Sequence, residues 1–459
     1  MTTKLARGGG IFAAVFVGLA QPVQLGNHPA LDPTTFRITE FAGGLNYPYG
    51  LQWEAPGTLL VATSRPNSPG GSAFNSTFEL LRFTDADRNG VADGPGVPVF
   101  SGGAGPATAL RFAGNYLLAA AGQSILVLQR GPMPDSSYAQ VGRLDFSFPG
   151  PWSHRYFSLG VRPVPGQPSA YEVFFNLGAK GNHVATTDKV SVSGLLETQN
   201  LNADSVYSFQ LSSDSGGVSA SGLTQVAGGL RNAFGFAIHP QTGDLWLTEN
   251  GMDGLVDSNE PLSADELNRI PAVDLGVAAP DFGFPTSYTE YRTGTLVGDP
   301  AKAPVVAFQP LGGPNGKEFE GAADLVFAPP GFPAALNQGA FIGFHGRSQL
   351  GGLDNEENGV LWVDPATGEY FEFLRGQQPG VGHPNSLLAV GDSLFVADMA
   401  TLGPLSGTPS GAIYQITYVP EPPVNATVLA LLGLAWAWRQ RSLSSEESRN
   451  SKRTEARCS

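Results

Sequence analysis

Cysteine, charge and long apolar runs are all scarce in this chain of 459 residues. Its one cysteine is Cys458, so no disulfide can form within the chain, and stability must come from core burial or from a metal. Charged residues make up only 14%, and the net charge is −14. Because nucleic acid affinity depends on Lys and Arg neutralising phosphates, this acidic balance argues against a nucleic acid partner.

Glycine and proline are abundant instead, with 60 and 37 copies. Together with many aromatic and β-branched residues they describe a turn-dense globular chain, because disordered segments are poor in aromatic and β-branched residues. Helical periodicity is missing from the middle of the chain. These features predict an all-β protein.

The two ends of the chain carry its short apolar segments. Residues 1–20 combine a basic start with a short apolar run and small residues, which is typical of a secretory signal peptide. An N-terminal membrane anchor is the alternative. Near the other end, residues 424–438 are apolar and are followed by Arg439 and Arg441. That predicts a short hydrophobic helix, with its basic end inside, for transient or permanent membrane anchoring.

The order V-P-E-P from Val419, apolar helix and basic cluster is similar to the PEP-CTERM sorting signal, so we assign residues 419–459 to it. The resemblance implies processing by an exosortase-type enzyme. It also implies export to the cell surface, outer membrane or extracellular matrix of a bacterium.

A weak repeat runs through the chain between these ends. Each copy is a short strand, a turn rich in Pro, Gly, Asp or Asn, and a strand ending at a small or acidic residue. Six copies at intervals of about 50 to 90 residues favour a six-bladed β-propeller over residues 36–418, with a β-sandwich as the alternative. The long intervals around residues 185–225 and 280–320 are expected to be loops. Copies begin near Tyr49, Thr108, Ser158, Gly235, Ala323 and Ser386.

The segment from Gly229 to Ile270 carries the most specific pattern. It reads G-L-R-N-A-F-G-F-A, then P-Q-T-G-D-L-W-L-T-E-N-G, then D-E-L-N. It resembles the glucose/sorbosone dehydrogenases, the soluble quinoprotein sugar dehydrogenases. The resemblance implies a propeller, oxidation of a sugar or alcohol, pyrroloquinoline quinone (PQQ) as hydride acceptor and Ca²⁺ to activate it. Two alternatives are a non-catalytic surface propeller that binds glycan or matrix, and a calcium-dependent hydrolase.

The resemblance also implies roles for individual residues. Arg231 and Asn232 match a pair that faces quinone and sugar at the mouth of the channel, with Arg as a bidentate donor. His154 aligns with the family's general base. Gly251 and Met252 match positions that offer carbonyls to calcium, and Asp265 and Glu266 match its acidic pair. These predictions concern His154, Arg231, Asn232, Gly251, Met252, Asp265 and Glu266.

Cations for the three carboxylates of PQQ are harder to find. His345 aligns with a family histidine, but Arg347 stands where a small residue is usual. His383 replaces an arginine that helps to bind the cofactor, which argues against PQQ because a desolvated trianion needs compensating charge. Lys317 and Arg347 are the candidate substitutes, and the residues assigned to cofactor binding are Arg231, Lys317, His345, Arg347 and His383.

A separate acidic loop lies outside this pattern. It reads D-A-D-R-N-G-V-A-D from Asp85, with oxygen donors at Asp85, Asp87, Asn89 and Asp93. This spacing matches the front half of a calcium-binding loop, although the glutamate expected at position 12 is missing. An Asp/Asn-rich hairpin turn is an equal alternative.

Overall fold

A computed structural model describes residues 23–420, apart from 215–216, 352–353, 377–381, 402, 406 and 408–409. The predicted signal peptide, the helix at 424–438 and most of the sorting signal lie outside the described residues. Within them there is no α-helix, and no helix is long and apolar enough to span a membrane. The fold is a six-bladed β-propeller, as the sequence predicts.

The first elements of the described chain belong to sheets that are completed much later. They are β1 (Val23–Leu25), a 3₁₀ helix (Pro33–Thr35) and β2 (Phe36–Leu45). Asp32 caps the 3₁₀ helix by accepting a hydrogen bond from the Thr34 amide, and Pro33 suits its first position.

The remaining strands follow in chain order and form the blades, numbered 1 to 6. Blade 1 contains β3 (Leu51–Ala55), β4 (Thr58–Pro66), β5 (Ser76–Thr84) and β6 (Val97–Ala104). Blade 2 begins with β7 (Ala107–Ala113), β8 (Tyr116–Ala121), β9 (Ser124–Arg130) and β10 (Tyr138–Ser147). The next strands are β11 (Leu159–Pro163), β12 (Ala170–Leu177), β13 (Lys189–Gly194), β14 (Gln199–Asn202), β15 (Ser205–Asp214) and β16 (Gly217–Gly228).

The second half of the chain supplies the last three blades. Blade 4 contains β17 (Ala233–Ile238), β18 (Leu245–Glu249), β19 (Glu266–Ile270) and β22 (Val306–Ala307), with the hairpin β20 (Tyr288–Thr289) and β21 (Leu296–Val297) beside it. Blade 5 contains β23 (Ala322–Phe327), β24 (Ala340–Phe344), β25 (Gly359–Val363) and β26 (Tyr370–Gly376). Blade 6 contains β27 (Pro384–Val390), β28 (Ser393–Asp398) and β29 (Gly411–Tyr418).

One interval expected to be a loop is built from strands. In the interval around 185–225, β13 and β14 form a hairpin that pairs with β10 and extends blade 2 to six strands. The chain then returns to complete blade 3 as β11-β12-β15-β16. The sequence did not predict these strands, because the interval is rich in Ser and Gly and shows little of the apolar alternation that is typical of a strand.

The ring is closed by the N-terminal strand. β2 pairs antiparallel with β29 and forms the outermost strand of blade 6, while β1 adds to β26 in blade 5. The first strand of each blade faces the axis, and these six strands contact one another in succession around the ring. We call the end of the channel where these strands begin the upper end.

Six apolar clusters lie between successive blades and hold the ring together. In the closing cluster, Phe41 of β2 packs edge-on against Phe83 of blade 1 and Phe395 of blade 6. Each blade thus buries both faces against its neighbours, which a single sheet cannot do alone. A large buried apolar side chain contributes about 1.5–3 kcal/mol, so these six interfaces supply much of the stability.

Candidate functional site

The predicted base and the predicted polarising arginine lie side by side at the upper end. His154 precedes β11 and Arg231 precedes β17 in the adjacent blade. The Ala179 amide donates to the Arg231 carbonyl at 2.7 Å, and His154 Nδ1 lies 3.0 Å from the Ala179 carbonyl. Burial and the Arg231 charge lower the pKa of His154 to about 3. The structure therefore brings the two residues together, and the imidazole is neutral near pH 7.

The tautomer of His154 follows from this contact. A carbonyl oxygen only accepts hydrogen bonds, so Nδ1 carries the proton and Nε2 keeps its lone pair. A neutral imidazole with a free lone pair is able to accept a proton from an alcohol.

Arg231 is held by its own surroundings. It is only 6% exposed, and its Nε and Nη2 atoms donate to Asn182 Oδ1 at 3.0 and 2.7 Å. Asp253 supplies an ion pair at 3.2 Å, and the Arg231 amide donates to Glu249 at 2.6 Å. Its guanidinium therefore serves loop contacts and does not line the cavity described next.

That cavity has a volume of about 180 Å³ and lies at the upper end of the channel. Aromatic rings form much of its wall, with Phe74 stacked on Tyr156 at 5.9 Å and Tyr49 edge-on to Phe234 at 6.0 Å. We call it the upper cavity. Further lining residues are Pro106, Thr108, Asn232, Asn250, Gly321, Ala322, Ala323, His345, Asn385, Met399 and Leu405.

Three polar atoms in this lining are buried and have no hydrogen-bond partner. They are the Thr108 hydroxyl, the Asn232 amide oxygen and the Tyr49 hydroxyl, which the Asn385 side chain approaches without the geometry of a hydrogen bond. The Asn232 amide nitrogen is used, since it donates to Asn250 Oδ1 at 2.8 Å. Buried polar atoms in proteins are nearly always paired, so these three are free to bond a polar ligand or an ordered water.

An ion pair closes the channel below this cavity. Arg111 on β7 and Asp324 on β23 belong to opposite blades, and Arg111 Nη2 lies 2.6 Å from Asp324 Oδ1. The other carboxylate oxygen accepts from the Ser386 hydroxyl at 3.1 Å and from the Leu387 amide at 3.2 Å. A second cavity of about 590 Å³ opens at the lower end, with Arg111 in its lining.

The two histidines predicted to bind cofactor have different positions. His345 lines the upper cavity, and its Nδ1 lies 2.9 Å from Asn385 Oδ1. Burial and the neighbouring His383 lower the pKa of His345 to about 3, so it too is neutral. His383 is fully buried, with its ring nitrogens 3.1 Å from the carbonyls of Ala400 and Arg347. His383 is therefore a packing residue and lies outside the lining of the cavity.

Lys317 and Arg347, the two candidate substitutes for the missing cations, form ion pairs outside the upper cavity. Lys317 pairs with Glu372 on β26, the fourth strand from the axis in blade 5. Arg347 pairs with Glu357 and donates to the Asn259 carbonyl at 3.4 Å. Neither residue belongs to the lining of the upper cavity.

These positions decide how well the site fits PQQ. Among the described residues, the lining of the upper cavity contains no Lys or Arg, and its one histidine is neutral. The nearest cation below, Arg111, is neutralised by Asp324. A buried tricarboxylate requires compensating positive charge, so these residues do not fit PQQ.

Met252 and Asp265, two of the residues predicted to bind catalytic calcium, use their oxygens in hydrogen bonds to backbone amides. The Met252 carbonyl accepts from the amides of Leu262 and Ser263 at 2.7 and 3.2 Å. Asp265 accepts from the amides of Gly251 and Ala322, both at 2.7 Å. These oxygens hold the loop around residue 251 against blade 5, and calcium binding by Gly251, Met252, Asp265 and Glu266 stays a prediction.

Glu266 belongs to a buried acidic pair. It lies directly across from Glu249 in the register of β18 and β19, and Asn268 donates to Glu266 at 3.1 Å and to Glu249 at 3.4 Å. Burial raises the pKa of Glu266 to about 7 and that of Asp265 to about 6. Burial and Glu266 raise the pKa of Glu249 as well, so protons help to neutralise this pair.

The acidic loop from Asp85 connects β5 to β6 at the lower end, remote from the other candidates. Asp85 accepts from the amides of Asn89 and Gly90, both at 3.0 Å, and Asp93 accepts from Ala86 at 2.9 Å. One oxygen each of Asp85, Asp87 and Asp93 lies within 4.8 Å of the others. The loop is an ordered hairpin connection, and calcium binding by it stays a prediction.

The sequence patterns did not identify several of the residues that line the upper cavity. Tyr49 and Thr108 each lie at or before an innermost strand, and Tyr156 lies shortly before β11. Their position next to the first strand of a repeat is the signal that points to them, because those strands surround the axis.

Comparisons with known proteins come from structure alone. No model of a known protein family matches the chain, and no curated protein matches it. A carbohydrate-active enzyme of family AA12 from Trichoderma reesei matches 88% of this chain and 99% of its own, at 14% identity and a TM-score of 0.52. The PQQ domain of pyranose dehydrogenase from Coprinopsis cinerea, in its holo form, matches 86% and 97%, at 15% identity and a TM-score of 0.51.

A third match is an oxidoreductase from Thermus thermophilus, named a glucose dehydrogenase. It covers 83% of this chain and 99% of its own, at 17% identity and a TM-score of 0.50. Identities this low establish a shared fold. The chain is therefore similar in structure to sugar dehydrogenases of the glucose and PQQ type, and it has their propeller fold.

Proposed function

We propose that this protein binds an uncharged sugar or sugar-like polyol in the upper cavity. The observation that carries this proposal is the set of three buried, unpartnered polar atoms on Tyr49, Thr108 and Asn232. Two of them are hydroxyls that donate or accept, and the third is an acceptor. A polyol offers both donors and acceptors within one small molecule and so matches this set.

The aromatic walls support the same class of ligand. Sugar rings present apolar C–H faces as well as hydroxyls, and the stacked Phe74 and Tyr156 rings offer a flat surface for such a face. The cavity is smaller than the roughly 300–1,000 Å³ typical of drug-sized ligands, which suits about one sugar ring.

The absence of charge in the described lining of the upper cavity restricts the chemical class of the ligand further. Because the described lining has no cation and His345 is neutral, a carboxylate or phosphate on the ligand would remain uncompensated. We therefore expect aldoses and polyols to bind in preference to uronic acids and sugar phosphates.

His154 supports a second candidate function, the oxidation of a sugar or alcohol. The contact through Nδ1 leaves the Nε2 lone pair to take a hydroxyl proton, and Arg231 lies beside it, although both residues lie outside the lining of the upper cavity. This reaction also needs an acceptor for the hydride, and the lining of the upper cavity does not fit PQQ. Binding without redox chemistry is therefore the function that the geometry supports best.

For localisation we propose export and display outside the cell. The support is the sequence of the two ends, a signal peptide over residues 1–20 and a PEP-CTERM-like signal over 419–459. An exosortase-type enzyme is the processing partner that this order of features implies.

Calorimetric titration of the full chain with glucose, galactose, xylose, sorbitol and glucuronate tests the binding proposal. We expect heat of binding with at least one neutral compound, lost in Thr108→Val and weakened in Tyr49→Phe. Tyr171→Phe, in blade 3 and outside the cavity lining, is the matched control and should bind as the parent does. No binding to any neutral compound, or equal binding by Thr108→Val, would refute the proposal.

The second candidate is tested by adding PQQ and Ca²⁺ with a redox dye and the same sugars. Dye reduction that disappears in His154→Gln would establish the dehydrogenase. Sugar binding without quinone absorbance or dye reduction would support the binding function alone.

A further inference from the structure

Three carboxylates meet at the upper end of blade 5, outside the set of residues that the sequence singles out. Glu318 and Glu320 lie in the segment before β23, and Glu357 lies in the turn before β25. One oxygen from each lies within 4.8 Å of the other two. The Glu320 amide donates to the Glu357 carbonyl at 3.1 Å, which fixes the two segments beside each other.

This spacing matches a single hard cation. Calcium binds oxygen at about 2.3–2.6 Å, so two ligands on opposite sides of one ion are separated by roughly 4.8 Å. Three carboxylate oxygens within that distance of one another are able to contact the same ion. Magnesium requires shorter bonds of about 2.0–2.1 Å and near-ideal octahedral geometry, which makes it the poorer match.

The nearby arginines leave one carboxylate unpaired. Arg292 pairs with Glu318 at 2.6 Å, and Arg347 pairs with Glu357. Glu320 has no ion-pair partner within the described part of the chain, and its Oε1 atom is buried with no hydrogen-bond partner. Glu357 is only 6% exposed, and its Oε2 atom is also buried and unpartnered. Separate charges on these buried carboxylates are costly, so the cluster needs either a proton shared between Glu320 and Glu357, whose pKa values are both raised by burial, or a bound cation.

Tyr291 provides an independent indication. It is 6% exposed, and its hydroxyl oxygen is buried with no hydrogen-bond partner. Burial and then the charges of Glu320 and Glu318 raise the pKa of Tyr291, and the backbone of Phe319, which lies between those two glutamates in the sequence, approaches the hydroxyl. Tyr291 follows β20 beside blade 4, so its phenol approaches the segment of Glu318 and Glu320 from a different blade.

We propose that Glu318, Glu320, Glu357 and Tyr291 form a calcium site that joins blades 4 and 5 at the upper end. The ion would lie beside the ligand cavity, because Glu320 immediately precedes Gly321 and Ala322 in its lining. It would also fix Arg347 through Glu357, and Arg347 follows the cavity residue His345 by two positions. Calcium would thus order one side of the cavity rim.

Terbium is a suitable probe, since it replaces calcium at oxygen sites and its emission is sensitised by a nearby tyrosine. We expect the full chain to show Tb³⁺ emission on excitation of aromatic residues, and Ca²⁺ to displace it. Glu320→Gln keeps the shape but removes one charge, so it should weaken Tb³⁺ and Ca²⁺ binding by about tenfold or more. Tyr291→Phe should reduce the emission, because phenylalanine is a poor sensitiser.

Thermal melting gives a second readout that a merely structural role would not produce. Ca²⁺ should raise the Tm of the parent protein and leave that of Glu320→Gln nearly unchanged. In EDTA the variant should be at least as stable as the parent, because the unpaired buried charge is gone. Asp87→Asn, in the remote loop at the lower end, is the control and should keep the Tyr291-dependent emission.

Two outcomes would overturn the proposal. If Ca²⁺ raises the Tm of the parent and of Glu320→Gln equally, the ion binds elsewhere. If neither Ca²⁺ nor Tb³⁺ affects the parent, Glu320 carries a proton and no metal site exists.

Discussion

Arg111 and Asp324 form an ion pair across the axis of the ring, with 2.6 Å between Nη2 and Oδ1. The two residues come from blades 2 and 5, which face each other across the channel. The pair separates the upper cavity from the lower one and links opposite sides of the ring directly. Tyr49 next to blade 1 and Phe234 of blade 4 also meet across the channel, with ring centroids 6.0 Å apart. The ion pair adds a charged contact between opposite blades, so it has consequences for stability.

Arg111→Met should destabilise the protein by about 3–5 kcal/mol, because Asp324 would remain charged and buried. Urea unfolding measures this loss. Adding Asp324→Asn to the same chain removes the uncompensated charge and should restore much of the stability. If the double variant is as unstable as Arg111→Met, packing of the arginine matters more than its charge.

Closure of the ring by β2 should depend on Phe41. This side chain is 2% exposed and lies between Phe83 and Phe395 at the junction of blades 6 and 1. Phe41→Ala should cost about 3–5 kcal/mol of unfolding free energy, measured by denaturant titration. Phe74→Ala, whose ring is half exposed, is the matched control and should cost far less. Equal losses in the two variants would contradict the role of β2 in closure.

Asp265 should act as a structural anchor for the loop around residue 251. Its two oxygens each accept a backbone amide, and hydrogen bonds to charged groups contribute about 1.5–3 kcal/mol. Asp265→Asn should therefore lower the Tm by the same amount in EDTA and in Ca²⁺. A loss that appears only when Ca²⁺ is present would instead make Asp265 a calcium ligand.

Stability should fall in acid because of buried neutral histidines. The pKa of His345 is lowered to about 3, against about 6.5 in the unfolded chain. Between these values the unfolded state binds more protons, so stability rises with pH and is lost as the pH falls from 6.5 towards 3. His154 contributes with the same sign.

The variant His345→Gln should reduce this slope. We expect the Tm of the variant to change less than that of the parent between pH 6.5 and pH 4, in melts followed by fluorescence. An identical pH profile would mean that His345 is solvated and titrates normally.

The sequence predicts the ring well because each blade starts with the same unit. Strand, Gly/Pro turn and strand recur six times, and all six copies correspond to the first strands of a blade. Local alternation of this kind depends only on neighbouring residues, so it can be read without a structure. The outer strands vary more, and the exchange of β13 and β14 into blade 2 depends on contacts that no local pattern reveals.

For a related reason, the sequence predicted the positions of the site residues better than the contacts of their side chains. Motif position places His154, Arg231 and Asn232 at one end of the channel, because each precedes an innermost strand. It does not show that Asn182 and Asp253 already occupy the Arg231 guanidinium. Likewise, Lys317 is a cation near the right element, but the chain turns it towards Glu372. Side-chain partners of this kind come from loops that are remote in sequence.

The path of the chain through blades 2 and 3 has a consequence for folding. Between β12 and β15 of blade 3 the chain leaves to form β13 and β14 of blade 2, so the two sheets share one continuous stretch of chain. We expect amide exchange in the two blades to be protected and lost together, as one cooperative unit within an otherwise modular ring.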